Sequence, residues 1–460
     1  PKVQRIAQFA GIRTDENLNV LDEHMFYCKP THDSLPAPEA CAVTGITPQL
    51  CEKKGFIEHE FIKKIHDEFS KPGTCIVGYN SIAFDDEYTR HTLFRNFLDP
   101  YSWHWQNGNA RWDILNVARF CYAHKEEGSL NWVKNEKNRP IFKLDRLAPA
   151  NHIEHTNAHD AMADVRATIG IARIIKDTQP KFFNYALSLN DKKEVAQLVK
   201  PLHPMLLTTS SFGYKSSFTR LVTSICNHPE YNDRSIVFNL NQDPEIFLEL
   251  ESEELKTLTF SRKSDLPKGI EKLDLSELVY NKSPMFVCSP NSDNFKLSPI
   301  LIEKFELNLD KCLKNLRFIQ KNSQSIEDKV RAIYRNDSDR EPSRDVDQSI
   351  YDGFISNNDR QICNEIQNLS LTQLSEFVPE FEDRRLAKLF LNFKARNYPQ
   401  LLNEFEQEQW FEIVQSRIQS GANGFLSIDS FERSIESLRE SQPGRENLWK
   451  ELEDYAQSFI

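Results

Sequence analysis

Residues Thr74 to Tyr79 form a short apolar run that leads straight into Asn80-Ser81-Ile82-Ala83-Phe84-Asp85, and helical periodicity starts at about Asp85. A buried strand that turns directly into a helix is the building unit of an α/β sheet flanked by helices. Ligands bind such sheets at the carboxyl ends of their strands, which is where Asn80 and Asp85 are placed. Further on, Asn157-Ala158-His159-Asp160-Ala161-Met162-Ala163-Asp164 opens a second strongly helical segment, Ala161 to Ile175. Upstream, Arg5 to Asp15 alternates, turns at Glu16-Asn17-Leu18-Asn19 and returns through Val20 to Cys28, the pattern of a hairpin. Thr47-Pro48 reads as a helix start, Thr as N-cap and Pro at the first position. Apolar spacing at Phe56, Phe61, Ile65 and Phe69 carries that helix onward. A further helix is predicted near Trp112 to Cys121.

The 460 residues exceed one ordinary core and imply several domains. The texture changes near Thr178. Short β-like runs such as Ser235–Leu240 and Pro284–Cys288 then alternate with turn residues, which predicts a small barrel or sheet domain. Asn336 to Gln348 is polar and without periodicity, as a linker would be. From Ile350 the pattern is helical, with Leu386, Leu389, Phe390 and Phe393 at helix spacing. The expected units are 1–178, 179–335 and 345–460. Net charge is −11, but residues 333–460 alone carry −10, so the first two units are nearly neutral and free to hold basic patches. Nine scattered cysteines without a Cys-x2-Cys pair suit reduced thiols in a cytoplasm. No apolar run approaches the length of a membrane span.

Phosphodiester hydrolysis needs an activated water and a stabilised leaving oxygen, and two hard cations about 3.5–4 Å apart supply both. Mg²⁺ takes carboxylates, water and phosphate. Asp85 and Asp164 are the candidate ligands. His159, in the loop before the second helix, has the proton affinity of a general base. Each has a bland reading alone: a helix cap for Asp85, a loop histidine for His159, a solvated helix face for Asp164. Asp160 and Asp164 lie four apart and repel on one helix face, a cost that a nearby cation relieves. His152, His155 and His159 form a His-x2-His-x3-His run, but no cysteine lies nearby and the helix begins only at Asp160, so zinc is disfavoured. Tyr88, Arg90, Tyr101, Trp103, Trp105, Arg111, Trp112 and Arg119 crowd the stretch after Asp85. Cations that track phosphates and rings that stack on bases are the means of single-strand binding. Trp112, within a helix pattern, reads as core; Trp103 and Trp105 read equally as core or as DNA contacts.

Asn80…Phe84-Asp85 and His159-x-Ala161-x-x-Asp164 resemble the second and third motifs of the DEDD exonucleases, in the branch with a histidine base. Gln8 to Asp15, Phe26 to Pro30, Thr44 to Pro48, Phe84 to Glu87, Asn157 to Val165 and Lys394-Ala395-Arg396-Asn397-Tyr398-Pro399 resemble the bacterial exodeoxyribonuclease I family, across essentially the whole chain. The resemblance implies a ribonuclease H-like α/β exonuclease domain, an SH3-like β-rich domain and a C-terminal α-helical domain. It implies 3′→5′ degradation of single-stranded DNA to 5′-mononucleotides in repair and recombination, with two Mg²⁺ ions and Mn²⁺ as a substitute. Arg90, Tyr101, Trp105, Arg119, Lys143, Tyr185 and Lys192 match family positions that touch the strand. A monomer is expected, partnered by single-stranded DNA and by the acidic, Phe-ended tail of single-strand-binding protein. The cations for that tail are read at Lys311, Lys314, Arg317 and Lys321, whose helical spacing places several on one side, the alternative reading of these four being a solvated helix face.

The family's first motif, an Asp-x-Glu, is expected just before the segment that begins this sequence. The only early Asp-x-Glu here is Asp85-Asp86-Glu87, which belongs to the second motif. A start lying upstream of Pro1 is therefore expected, the alternative being a homologue that binds single strands without cutting. A shorter RNA-trimming or proofreading exonuclease is disfavoured by the long stretch after Thr178.

Overall fold

The computed structural model describes residues 3–154, 160–288, 297–335, 343 and 345–459. The chain opens on an antiparallel hairpin, β1 (Gln8–Thr14) and β2 (Val20–Tyr27). Its turn is locked by the Asp15 carboxylate, which accepts from the backbone N–H of Asn17 and of Asn19. β3 (Cys75–Gly78) and β4 (Ala110–Asp113) pair in parallel, with Gly78 opposite Asp113. Helices Asp85–Arg95, Ile114–His124 and Ala161–Thr178 flank these strands. A small antiparallel pair, β5 (Val133–Lys134) and β6 (Pro140–Ile141), lies between the last two helices in sequence.

Two sequence expectations are corrected here. The helix begun by Thr47 and Pro48 ends at Lys54, and a separate helix runs from Glu58 to Phe69. Gly55 is the cause: a Cβ there would lie 2.5 Å from the Cys51 carbonyl and 2.6 Å from the Lys29 amide, so the chain passes extended. Phe56 instead bridges to Cys28. Trp112 belongs to β4 rather than to a helix, and the helix starts after Asp113, which caps it by accepting from Leu115 N–H. Trp112 is core, as read.

The second unit is a five-stranded antiparallel sheet in the order β10-β9-β8-β7-β11, formed by β7 (Pro204–Thr208), β8 (Thr219–Asn227), β9 (Arg234–Asn239), β10 (Leu275–Val279) and β11 (Met285–Cys288). One apolar core joins it to the first unit: Trp112, Phe120, Leu147, Ile171 and Phe183 pack in the same cluster as Met205, Val222, Val237 and Phe286. From Asn357 the described residues are helical, including Arg384–Asn397 and Glu404–Ser420.

Most of the segment read as a linker lies outside the described residues, and its last residues enter a buried cluster of ion pairs. Asp345 and Asp347 meet Arg417, which reaches both at 2.9 Å and reaches Asp33 at 2.7 Å. Arg396 pairs with Asp347 at 2.7 Å, and Arg5 with Asp33 at 2.6 Å. Beside them Arg95 donates to Glu58 at 2.9 Å, so four guanidinium groups face four carboxylates. Polarity alone cannot distinguish a linker from a strap whose charges are buried. Burial pushes the Asp33 carboxyl up, but Arg5, Arg417 and Arg396 outweigh it and hold it below the ordinary carboxylate range. Asp347 is likewise held low by Arg396 and Arg417 against its burial. Groups with depressed folded pKa values stabilise at pH above their unfolded values and lose that contribution as pH falls through the folded ones. Acid unfolding should therefore set in below pH ~4. Asp347→Ala should cost about 3–5 kcal/mol, the price of stranding a buried cation. The surface cap change Asp160→Ala should cost about 1 kcal/mol. Denaturant unfolding of both variants checks the contrast.

Candidate active site

β3 ends at Gly78, where a Cβ would sit 2.5 Å from the Ser81 Cβ, so only glycine lets the loop fold back this tightly. Asn80 follows with φ +67°, a left-handed conformation that asparagine tolerates. Asp113, at the end of the neighbouring strand, then binds the loop. Its Oδ1 accepts from Asn80 N–H at 2.9 Å and from Leu115 N–H at 3.0 Å, and its Oδ2 accepts from Ile82 N–H at 3.3 Å. Asp113 was not among the residues singled out from the sequence. Its signal was present, an Asp just before an apolar helical run, which is an N-cap signature.

Asp85 opens the helix held by this loop, where the helix dipole favours negative charge. The residue is exposed, yet desolvation by the surrounding protein and the charges of Asp86 and Asp113 push its pKa up to about 6. Among the described residues no cationic side chain pairs with it. Its neighbours are committed. Asp86 accepts from Arg111 at 2.5 Å, and Glu87 accepts from Arg90 at 2.8 Å and from the Tyr351 hydroxyl at 2.6 Å. An oxygen donor at a helix start, opposed by two other carboxylates and lacking a counter-charge, fits a hard divalent cation.

Asp164 is half-buried in the first turn of helix Ala161–Thr178. Asp160 is that helix's N-cap and accepts from Ala163 N–H at 3.0 Å. His159 and His155 lie outside the described residues, and His152 is exposed at φ +59°. Among the described residues no three His, Cys, Asp or Glu side chains converge as a metal cage.

The residues matched to strand contacts fall into two groups. Trp105 is 61% exposed, and Lys143 and Lys192 are exposed. Arg119 is half-buried and donates to Asn116. The other three are engaged by the protein itself, Arg90 buried and Tyr101 and Tyr185 half-buried. Arg90 is 7% exposed, pairs with Glu87 and lies over the Tyr101 ring at 5.6 Å, so a phosphate would have to displace Glu87 to meet it. Tyr101 packs on the core of the helical unit, and the Tyr185 hydroxyl donates to the Phe286 carbonyl at 2.8 Å. Trp103 is core at 1% exposure and spends its N–H on the Pro100 carbonyl. The sequence could not separate it from Trp105, since both flank His104 in the same polar stretch.

Comparison with known proteins bears on all three units. Residues 1–172 match the family described as Exonuclease, 190–336 the Exonuclease I SH3-like domain, and 344–459 the Exonuclease I C-terminal domain. Exodeoxyribonuclease I of Haemophilus influenzae is 38% identical over 95% of this chain and 91% of its own length. The Escherichia coli protein of that name is 40% identical over 90% of this chain and 86% of its own. The chain belongs to the exodeoxyribonuclease I family. A crystal structure of E. coli Exonuclease I in complex with a dA16 oligonucleotide covers the whole chain and 97% of its own, with a TM-score of 0.93 and 36% identity. A moderately thermophilic Exonuclease I from Methylocaldum szegediense aligns with a TM-score of 0.92, again over 100% of this chain and 97% of its own, at 36% identity. The chain is therefore a hydrolytic nuclease with an exonuclease domain, an SH3-like domain and a C-terminal domain. Its family is of the kind that uses divalent metal ions, and one E. coli complex is described as a zinc ion bound form. Among the described residues no helix is long and apolar enough to cross a membrane.

The raised Asp85 pKa sets a pH dependence. In the metal-free protein the proton is held more tightly when folded, so this group's contribution to stability is lost as pH rises through about 6. A divalent cation held by the ionised carboxylate would restore it. The rise in unfolding temperature on adding Mg²⁺ should be larger at pH 8 than at pH 5, and Asp85→Asn should remove the difference.

Proposed function

We propose that this protein removes 5′-mononucleotides from the 3′ end of single-stranded DNA, with Asp85 and Asp164 as ligands of two Mg²⁺ ions and His159 as general base. The observation that carries the reading is the Asp85 carboxylate, presented without a counter-charge among the described residues at the helix start that follows β3, in a chain that overlays on a DNA-bound relative. Bound divalent ions supply charge stabilisation and a more acidic water. Asp85 and Asp164 bring full negative charge and fixed direction, each from the first turn of a helix. His159 takes the proton of the attacking water. Mn²⁺ is an alternative ion of the same ligand preference.

Structures of E. coli Exonuclease I with dA16 and dT13 oligonucleotides support a single-stranded DNA substrate. Trp105 offers an open ring for base stacking, while Lys143, Lys192 and Arg119 offer cations for phosphate. Arg90, Tyr101 and Tyr185 shape that surface from within. A structure of SSB/Exonuclease I supports a docked single-strand-binding protein. In helix Leu309–Lys321 the side chains of Lys311, Lys314, Arg317 and Lys321 are exposed on the face opposite Cys312, Leu316 and Ile319, as an acidic tail requires. Unchanged affinity for such a tail peptide after Lys314→Glu with Arg317→Glu would move the docking site elsewhere. A cytoplasmic monomer with units 1–178, 179–335 and 345–460 completes the reading.

Asp164→Asn should abolish metal-dependent nucleotide release, and His159→Ala should lower it at least about 10²-fold, both with single-strand binding retained. Trp105→Ala should instead weaken binding by about 1–3 kcal/mol with an unchanged salt slope. Wild-type turnover by the Asp164 variant refutes the assignment.

A further inference from the structure

The three consecutive acids at the start of helix Asp85–Arg95 have three different fates. Successive helical residues point about 100° apart, so Asp85, Asp86 and Glu87 leave the helix in separate directions. Asp85 faces solvent. Asp86, 4% exposed, is held by Arg111, also 4% exposed. The same guanidinium donates from Nε at 3.1 Å and from Nη2 at 2.9 Å to the carbonyl of Asn281. Asn281 lies in the segment that matches the SH3-like domain, and its own amide donates to Asp233 at 3.1 Å. Glu87 is held by Tyr351, which lies in the segment that matches the C-terminal domain and packs edge-on against His91 at 5.9 Å.

The helix is packed along its length and its entry loop is strapped by Asp113, and the two tethers, roughly 100° apart, fix the first turn from the sides of the two outer domains. We propose that Asp86 and Glu87 are positioning residues, through which the seating of the SH3-like and C-terminal domains on the nuclease domain sets the direction of the Asp85 carboxylate. Neither residue touches the reacting atoms. The two outer domains are thereby part of the metal site without supplying a ligand, and the nuclease competence of this chain depends on both being docked. This inference rests on Asp85 as a metal ligand.

The test is Mn²⁺ binding to the full chain, read from the loss of the free-ion electron paramagnetic resonance signal, with thermal unfolding measured alongside. Tyr351→Phe removes only the hydroxyl that holds Glu87, and Arg111→Lys keeps the charge beside Asp86 but cannot span to the Asn281 carbonyl as well. Each should weaken Mn²⁺ binding on the order of tenfold, the lower end for losing a group that orients a metal ligand. In Tyr351→Phe the unfolding midpoint should stay at that of the parent. Parent-like affinity in both variants, where Asp85→Asn abolishes binding, overturns the positioning role and leaves the metal site standing. Parent-like affinity in Asp85→Asn overturns the metal site and the positioning role together.

Discussion

The seating of the C-terminal unit on the nuclease unit depends on one buried charge cluster. Arg5 and Asp33 come from the nuclease unit, Asp345 and Asp347 from the start of the last unit, and Arg396 and Arg417 from two of its helices. Desolvating this many ions is expensive, and attraction offsets that cost only where geometry is good and charges balance. Four guanidinium groups against four carboxylates meet that condition. The consequence is specificity of docking: an apolar interface tolerates sliding, whereas each of these side chains has partners at fixed distances. The Lys394 to Pro399 stretch gains its meaning here. Arg396 enters the cluster, Asn397 accepts from His59 N–H at 2.8 Å, and the Tyr398 hydroxyl meets the His59 ring at 2.8 Å.

From that fixed docking the site follows. Helix Asp85–Arg95 is buried along much of its length and runs from the proposed metal ligand Asp85 to the cluster, since Arg95 is its last residue and pairs with Glu58. Its first turn is held by Asp86 and Glu87, and the loop before it is strapped to β4 by Asp113. A carboxylate pushed up to about 6 is destabilised when ionised. That is the condition in which a divalent cation gains most by binding.

What could be read from the sequence was what depends on near neighbours. The β1–β2 hairpin, the strand before Asn80, the Thr47 cap and the helix at Ala161 all follow from local periodicity, turn residues and caps. The candidate ligands Asp85 and Asp164 were legible because their chemistry is written in short motifs. Failures came where distant parts of the chain decide. Gly55 breaks a helix because Cys51 and Lys29 crowd it, and Trp112 joins a strand because β3 lies beside it. Asp345 and Asp347 look like solvated linker charges until Arg396 and Arg417 are in place. Asp113 and Tyr351 were missed because their role lies in what they hold, not in what they are.

The most direct measurement of the functional reading is the polarity of cutting by the protein in Mg²⁺ on a single-stranded oligonucleotide carrying a 5′ label. A ladder of ever shorter 5′-labelled strands, absent for the same sequence annealed into a blunt duplex, is the predicted result. Immediate release of labelled mononucleotide, or equal degradation of the duplex, would contradict it.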